Sequence, residues 1–228
     1  MNALELDTVL LSSDRTCLEI LDQTLLPGEV KTLHLSDMRD IWEAIYSLRV
    51  RGAPAIGVCA GYALALAASQ IEEEEKEAFF AQLRETKDYL ASARPTAVNL
   101  FWALDRMWQT AEKHAAESIP AIREALFAEA QRIRDEDVAI SRSIGELGFS
   151  LLHHGDGILT HCNAGTLATA KYGTATAPMN TSAVLLRQMN AKEIFDPVCC
   201  FATDHHYALE DEETMADLKK FAQFLNRK

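Results

Sequence analysis

The chain has 228 residues, of which 48% are hydrophobic and 25% are charged, and its formal net charge is −12. This composition is typical of a globular protein with one large or two small domains. The negative charge disfavours non-specific binding to nucleic acid or to an anionic membrane surface, although a few local cations can still bind an anionic small molecule. We therefore expect no nucleic-acid partner and no membrane partner.

The cysteines and the N-terminus indicate a reducing compartment. The N-terminal stretch carries acidic residues early and lacks the basic region of a secretory signal. No apolar run approaches the roughly 20 residues that a membrane-spanning helix needs. The five cysteines show neither C-x-x-C spacing nor zinc-like pairing with histidines. We expect a cytoplasmic protein with free thiols, and no metal or cofactor.

The first part of the chain predicts short strands followed by helices. Residues 1–35 hold three β-rich stretches separated by turns. A helix capped by Ser36 follows, with apolar side chains at helical spacing from Ile41 onward. "RGAPAIG" interrupts the helical pattern, and Thr96 is placed to cap a later helix. The predicted helices cover residues 37–50, 58–70, 72–91, the stretch after Thr96, and 120–150.

After Gly157 the pattern changes to that of a parallel α/β arrangement. "GILTH" predicts a short buried strand, and "NAGTLATAKYG" predicts a strand-to-helix turn that leads into a helix. The predicted fold class is α/β, with a mostly helical domain with a few short strands over 1–150 and a truncated Rossmann-like parallel domain over 151–228. One further strand is predicted at "VCCFATD", and two strands alone do not form a stable open sheet.

The stretch "RGAPAIG", from Arg51 to Gly57, is a candidate anion site. Glycine permits close approach of a ligand to backbone N–H groups, and a helix that begins just after the loop presents unpaired donors at the positive end of its dipole. Arg51 adds a planar guanidinium suited to a phosphate or to a pair of sugar hydroxyls. The alternative is an ordinary helix–helix turn with a surface arginine.

A second arginine, Arg94 in "ARPTAVNL", also lies where a loop leads into a helix. By itself it is equally well explained as a surface charge beside a helix cap. Two arginines at two loop–helix junctions favour an anion pocket if the two loops converge in the fold.

Cys162 lies at the predicted junction between a strand and a helix. Open α/β folds place ligands at the carboxyl ends of their strands. The N–H groups of a helix that begins near Gly165 would favour the thiolate form of this cysteine. His161 is adjacent, but neighbouring residues on a strand point to opposite faces. The alternative is a buried cysteine that packs as a small hydrophobic residue.

Three stretches together resemble the methylthioribose-1-phosphate isomerases of methionine salvage: "IYSLRVRGAPAIGVCAGYALALA", "ARPTAVNLFWALDRM" and "ILTHCNAGTLATAKYGTATAP". The stretches "LDQTLLP" and "DEDVAISRSIGELG" also fit, and the resemblance covers about residues 5–179. The same superfamily includes ribose-1,5-bisphosphate isomerase and the regulatory subunits of a translation-initiation exchange factor.

The resemblance implies an isomerase that converts S-methyl-5-thioribose 1-phosphate to S-methyl-5-thioribulose 1-phosphate. It implies that the enzyme is a homodimer and that its partner is a small-molecule sugar phosphate. It also implies that Cys162 is the catalytic thiol, and that Arg51, Gly52, Ala53 and Arg94 contact the phosphate and hydroxyls of the substrate.

The resemblance to the isomerases stops after Met179. Family members carry a later catalytic aspartate in a "GADR"-like stretch that this sequence does not show, so reduced or absent activity is implied. One alternative is a non-catalytic sugar-phosphate-binding or assembly module of the same superfamily. Another is a dehydratase-like fragment, because residues 180–225 resemble the N-terminal region of aconitase and isopropylmalate dehydratases around Asp204-His205. The adjacent cysteines Cys199 and Cys200 have the wrong spacing to hold an iron–sulfur cluster, and we predict no cluster.

Overall fold

The computed structural model describes residues 7–153, 158–160 and 163–180. The chain divides into two compact units, Met1–Asp196 and Pro197–Lys228. All of the described residues belong to the first unit. The elements and the Asp-His pair predicted beyond residue 180 lie outside the described residues.

Three short strands form one antiparallel sheet in the order β1-β2-β3. The strands are β1 Val9–Leu11, β2 Leu18–Leu21 and β3 Thr32–Leu35. Val9 pairs with Ile20, which pairs in turn with Leu33. Because side chains alternate across a strand, the fully buried Val9, Leu18 and Ile20 share the face that joins the core. The three β-rich stretches predicted from the sequence are confirmed.

Five α-helices and one 3₁₀ helix follow in the described part of the chain: α1 Met38–Tyr46, α2 Ala53–Gln70, α3 Lys76–Ala91, α4 Val98–Lys113, α5 Ile119–Phe149 and the 3₁₀ helix Thr166–Ala168. Two predicted caps are wrong. Asp37, and not Ser36, caps α1, because its carboxylate accepts from the N–H of Arg39. Ala97, and not Thr96, precedes α4, and no side chain caps that end.

The central core helix is α2. Every residue from Ala55 to Ala68 is buried, as expected for a helix that other elements surround. A Cβ on Gly57 would meet the carbonyl oxygen of Asn99 on α4 at 3.2 Å, and one on Gly61 would meet Cδ1 of Ile133 on α5 at 3.2 Å. Among the described helices, α2 alone is long and apolar enough to cross a membrane, but 78% of that window is buried inside the structure.

The described fold is mostly helical with a small antiparallel sheet, as predicted for the first 150 residues. The Rossmann-like parallel arrangement is not confirmed. Residues 158–160 are irregular, with Ile158 and Leu159 46% and 76% exposed, and the helix predicted near Gly165 is a 3₁₀ helix of three residues. A parallel strand is normally buried on both faces, and the described residues supply no parallel neighbour. The domain boundary near residue 150 stays a prediction.

Candidate functional site

The stretch around Arg51 forms the N-terminal end of α2. The helix begins at Ala53, with Gly52 as its N-cap and Pro54 in its first turn, so the predicted loop over "APAIG" is helical instead. Proline suits a first turn because its fixed φ is helical and its missing N–H would have no helical partner there. No side chain caps this end. Arg51 is half-buried and Ala53 is exposed.

Gly52 lies directly against the 3₁₀ helix that follows the predicted catalytic cysteine. A Cβ on Gly52 would lie well under 3.0 Å from the backbone of Ala168, whereas ordinary contact begins at 3.4 Å. Only glycine therefore permits this approach. The structure thus brings two of the three sequence motifs together: the end of α2 and the segment 163–180.

Side chains from the sheet region hold the segment 163–180 in place. Gln23 donates from Nε2 to the carbonyl oxygen of Leu167 at 2.8 Å. The buried Thr8 donates from Oγ1 to the carbonyl oxygen of Thr169 at 2.5 Å. The backbone N–H of Thr8 also donates to the carbonyl oxygen of Ala170 at 3.4 Å. The segment is therefore fixed on the side that faces the start of β1 and the end of β2.

Helix α5 holds the same segment through Asp137. Its Oδ2 accepts from the N–H of Ala170 at 2.7 Å. Burial raises the pKa of Asp137, and this hydrogen bond together with the positive charge of Arg134 opposes the rise. Asp7 accepts from Arg134 at 2.5 Å and from Lys171 at 3.4 Å, so a chain of charges crosses from α5 to the segment.

The segment also closes on itself. The N–H of Thr174 donates to the carbonyl oxygen of Ala164 at 2.9 Å, and the N–H of Gly173 donates to Oγ1 of Thr169 at 3.0 Å. Gly173 has a φ of +79°, and a Cβ there would lie 2.7 Å from the carbonyl carbon of Gly165. The turn therefore requires glycine at this position, and it fixes the residues that immediately follow Cys162 in the chain.

Arg94 lies in the turn that leads into α4. It is half-buried, and its carbonyl oxygen accepts from the N–H of Ala97 at 3.0 Å. The first turn of α4 contacts the second turn of α2, where Asn99 lies against Gly57. The two helices that follow Arg51 and Arg94 are thus packed together near their N-terminal ends, as an anion pocket formed by both loops requires.

A network on the other side of the Arg51 loop fixes the backbone just before it. Arg49 donates to Asp22 at 2.5 Å and to Glu43 at 2.9 Å. Burial alone would raise the pKa of Asp22, but hydrogen bonds from Thr24 and Arg49 outweigh it and lower this pKa. The carbonyl oxygen of Arg49 accepts from the N–H of Gln23 at 3.1 Å. Gln23 therefore connects this loop to the segment 163–180.

An open cavity of about 360 Å³ borders this network, and Lys31, Asp40 and Arg49 are among the residues that line it. Arg51, Gly52, Ala53 and Arg94 are not in its lining, so we do not assign the substrate to it. Within the described ranges, no group of three or more His, Cys, Asp or Glu side chains is arranged to hold a metal ion.

The structure describes the surroundings of Cys17 and Cys59 but not those of Cys162. Cys162 and His161 lie outside the described residues, so the catalytic role of Cys162 stays a prediction. Cys59 is fully buried in α2, and burial raises its pKa to about 12. Cys17 is half-buried, with its Sγ 3.9 Å from Nδ1 of His34. Neither Cys17 nor Cys59 belongs to the candidate site.

Sequence reasoning missed the residues that hold the segment 163–180. Gln23 lies in "LDQTLLP" and Asp137 lies in "DEDVAISRSIGELG". Only the family resemblance singles out these two stretches, and that resemblance is the one signal in the sequence that points to Gln23 and Asp137. Thr8 begins a β-rich stretch, but it lies outside the motifs that carry the family resemblance.

Solved structures with the same fold define the class of protein. A 5-methylthioribose 1-phosphate isomerase from Pyrococcus horikoshii superposes with a TM-score of 0.74 and 37% identity, covering 82% of this chain and 51% of that chain. The delta subunit of the translation initiation factor eIF-2B from A. fulgidus superposes with a TM-score of 0.72 and 36% identity, covering 79% of this chain and 52% of that chain. The fold is therefore one that isomerases and initiation-factor subunits share.

The sequence profile of the initiation factor 2 subunit family matches residues 49–200, and the chain belongs to this family. A methylthioribose-1-phosphate isomerase from Symbiobacterium thermophilum is 54% identical over 175 residues, covering 77% of this chain and 49% of the relative. A 5-deoxyribose 1-phosphate isomerase from Moorella thermoacetica is 52% identical over 165 residues, covering 72% of this chain and 47% of the relative. The chain spans about half the length of the curated relatives it matches.

These relatives confirm the resemblance to methylthioribose-1-phosphate isomerases. They give no support to the second resemblance, that of residues 180–225 to dehydratases, and those residues lie outside the described ranges apart from Asn180.

Proposed function

We propose that this chain carries the substrate-binding half of an aldose–ketose isomerase for a 5-substituted ribose 1-phosphate. The observation that supports this most is the packing of Gly52 on Ala168. It joins a helix end suited to phosphate with the segment that follows the proposed catalytic thiol. The relatives are named for methylthioribose 1-phosphate or 5-deoxyribose 1-phosphate, two sugars that differ only at C5. We propose S-methyl-5-thioribose 1-phosphate as the substrate, in methionine salvage.

Phosphate binding is the role of the α2 end and the two arginines. An N-terminal helix end offers N–H donors and a positive dipole. The guanidinium groups of Arg51 and Arg94 add charge-assisted, bidentate hydrogen bonds. Because the chain as a whole carries a net charge of −12, these local donors and cations have to supply the attraction for a dianionic phosphate. Ala53, the first residue of α2, is exposed, so a ligand can reach this residue from the solvent.

The reaction is a proton rearrangement within one sugar. The bond between C1 and the ring oxygen breaks, the hydrogen of C2 moves to C1, and the hydroxyl of C2 becomes a carbonyl while the former ring oxygen takes up a proton. No atom is gained or lost. Such a rearrangement needs a positioned acid and base, which typically contribute 10²–10⁴-fold each. We propose Cys162 as one of them.

The experiment is an NMR assay that follows conversion of S-methyl-5-thioribose 1-phosphate to the ketose. We expect turnover in the wild-type chain, loss of turnover in Cys162→Ala, and unchanged turnover in the control Cys17→Ala. Full turnover in Cys162→Ala would end the catalytic role of that thiol. Binding without any turnover would instead favour a non-catalytic sugar-phosphate-binding module.

The same proposal includes three expectations about the assembly, the compartment and the fold. We propose a homodimer in the cytoplasm, which light scattering and fractionation would test. We also propose that residues 151–228 contribute to a Rossmann-like parallel sheet. Ile158 and Leu159 support this, because their exposed side chains are of the type that a parallel strand buries when its neighbours are present.

A further inference from the structure

Asp137 is a titratable group that the proposed reaction does not use. It lies half-buried on α5, in the stretch that precedes the segment 163–180 by more than 20 residues. Ala170 is fully buried, and a buried N–H needs an acceptor. The carboxylate of Asp137 supplies that acceptor at 2.7 Å. A hydrogen bond to a charged group is stronger than one between neutral groups.

The hydrogen bond of Asp137 acts at the point where the segment meets α2. Ala170 is two residues after Ala168, whose backbone touches Gly52. The carbonyl oxygen of Ala170 is held at the same time by the N–H of Thr8. Both peptide groups of Ala170 are therefore fixed, one from α5 and one from the sheet region.

The constraint extends from Ala170 toward Cys162. Thr169 precedes Ala170, and its Oγ1 accepts from the N–H of Gly173 at 3.0 Å. The next residue, Thr174, donates from its N–H to the carbonyl oxygen of Ala164 at 2.9 Å. Ala164 is two residues from Cys162 in the chain. Three hydrogen bonds joined by short stretches of backbone thus connect Asp137 with Ala164, which lies two residues from the proposed catalytic thiol in the sequence.

We propose that Asp137 is a positioning residue, which through the N–H of Ala170 holds the segment 163–180 on the end of α2 and so sets the reactivity of Cys162 and the affinity of the phosphate site. The positive charge of Arg134, on the same helix, acts on Asp137, and Arg134 in turn pairs with Asp7, which also accepts from Lys171 on the segment. The part that concerns affinity rests on the proposed function, and the part that concerns Cys162 does not.

The first readout is the rate at which iodoacetamide alkylates Cys162 as a function of pH. It is measured on the tryptic peptide 143–171, in which Cys162 is the only cysteine. We expect Asp137→Ala to change the rate at least fivefold and to shift the pH profile. Asp137→Asn keeps an acceptor oxygen, and we expect it to restore the rate to within about threefold of wild type. Asp135→Ala is the matched control, because Asp135 is an exposed residue of the same helix.

The second readout is the affinity for S-methyl-5-thioribose 1-phosphate, measured by calorimetry. We expect Asp137→Ala to weaken binding at least tenfold and Asp137→Asn to recover most of the loss. Circular dichroism establishes that each variant is folded. If Asp137→Ala does not fold, Asp137→Leu replaces it, because leucine has a similar branched shape and no acceptor.

The outcomes separate the two proposals. A wild-type alkylation profile in Asp137→Ala or Asp137→Leu would overturn the positioning role, and so would a profile in Asp137→Asn that is no closer to wild type than that of Asp137→Ala. If the wild-type protein binds no sugar phosphate, the proposed function fails, and the alkylation profile still decides whether Asp137 positions Cys162.

Discussion

Replacing Gly52 by alanine tests the contact on which the candidate site depends. The added Cβ would lie well under 3.0 Å from the backbone of Ala168, and restoring ordinary contact requires the two elements to separate by more than about 1 Å. Helix α2 is buried from Ala55 to Ala68 and has no room to move. The segment 163–180 therefore has to yield, against the hydrogen bonds that fix it.

The expected effects follow from that displacement. Overpacking of this kind destabilises by about 1–3 kcal/mol, and a misplacement of about 1 Å in a binding constellation can reduce function about 10²-fold. We expect Gly52→Ala to weaken binding of S-methyl-5-thioribose 1-phosphate by about 10- to 100-fold in calorimetry. We expect the free energy of unfolding in urea to fall by no more than about 3 kcal/mol.

Gly61→Ala is the matched control on the same helix. Its Cβ would meet the flexible end of Ile133 at 3.2 Å, and alanine is favoured over glycine within a helix by about 1 kcal/mol. We expect its binding affinity to equal that of wild type. If Gly52→Ala bound and unfolded like the wild-type protein, the contact between α2 and the segment 163–180 would be refuted.

Three further results are expected. Ser118→Ala should lower the free energy of unfolding by about 1 kcal/mol in urea, because Ser118 caps α5; an unchanged midpoint would contradict the cap. The hydrogen bond from Arg39 lowers the pKa of Asp37 from 3.8 to about 2, so this carboxylate stabilises α1 above pH 3.8 and the effect is lost as the pH falls through 2. The thermal unfolding midpoints of Asp37→Asn and of the wild-type protein should therefore converge at low pH. A difference between the two midpoints that stays constant with pH would contradict a stabilising role for the ionised carboxylate. Cys59 should resist iodoacetamide at pH 8 in the folded protein and react once the protein is unfolded, since burial raises the pKa of its thiol and only the thiolate is nucleophilic; equal labelling of the folded and unfolded protein would show that Cys59 is not buried.

The strands and helices of the first 150 residues were predictable because their side-chain periodicity is local. The alternation of apolar and polar side chains around Ile20, and the helical spacing of apolar side chains from Ile41, each indicate which face of the element is buried. The caps were less predictable, because Ser36 and Asp37 are both good capping residues and only the backbone decides which of them accepts the N–H bond. The parallel strand predicted around residues 158–160 is not confirmed, since a sequence pattern shows that a stretch can be buried but not that its neighbours are present.

The site was predictable only in part. The motifs that contain Arg51 and Arg94 were found from loop–helix junctions and from a family resemblance, and the structure packs the helices after them together. The residues that hold the segment 163–180 were not found from their chemistry. Gln23 and Thr8 bond to backbone carbonyls more than 140 positions away, and a bond to a backbone atom places no demand on the identity of the partner residue. No local pattern records such a contact.

A calorimetric titration with S-methyl-5-thioribose 1-phosphate tests most directly whether Arg51 and Arg94 serve one sugar-phosphate site. The variants are Arg51→Met and Arg94→Met, with Arg15→Met as the control because Arg15 pairs with Glu124. We predict that the wild-type chain binds and that either substitution at the site weakens binding about 10- to 100-fold, the effect of losing a hydrogen bond to a charged group. Equal affinity in all four proteins, or no binding by the wild-type chain, would contradict the shared site.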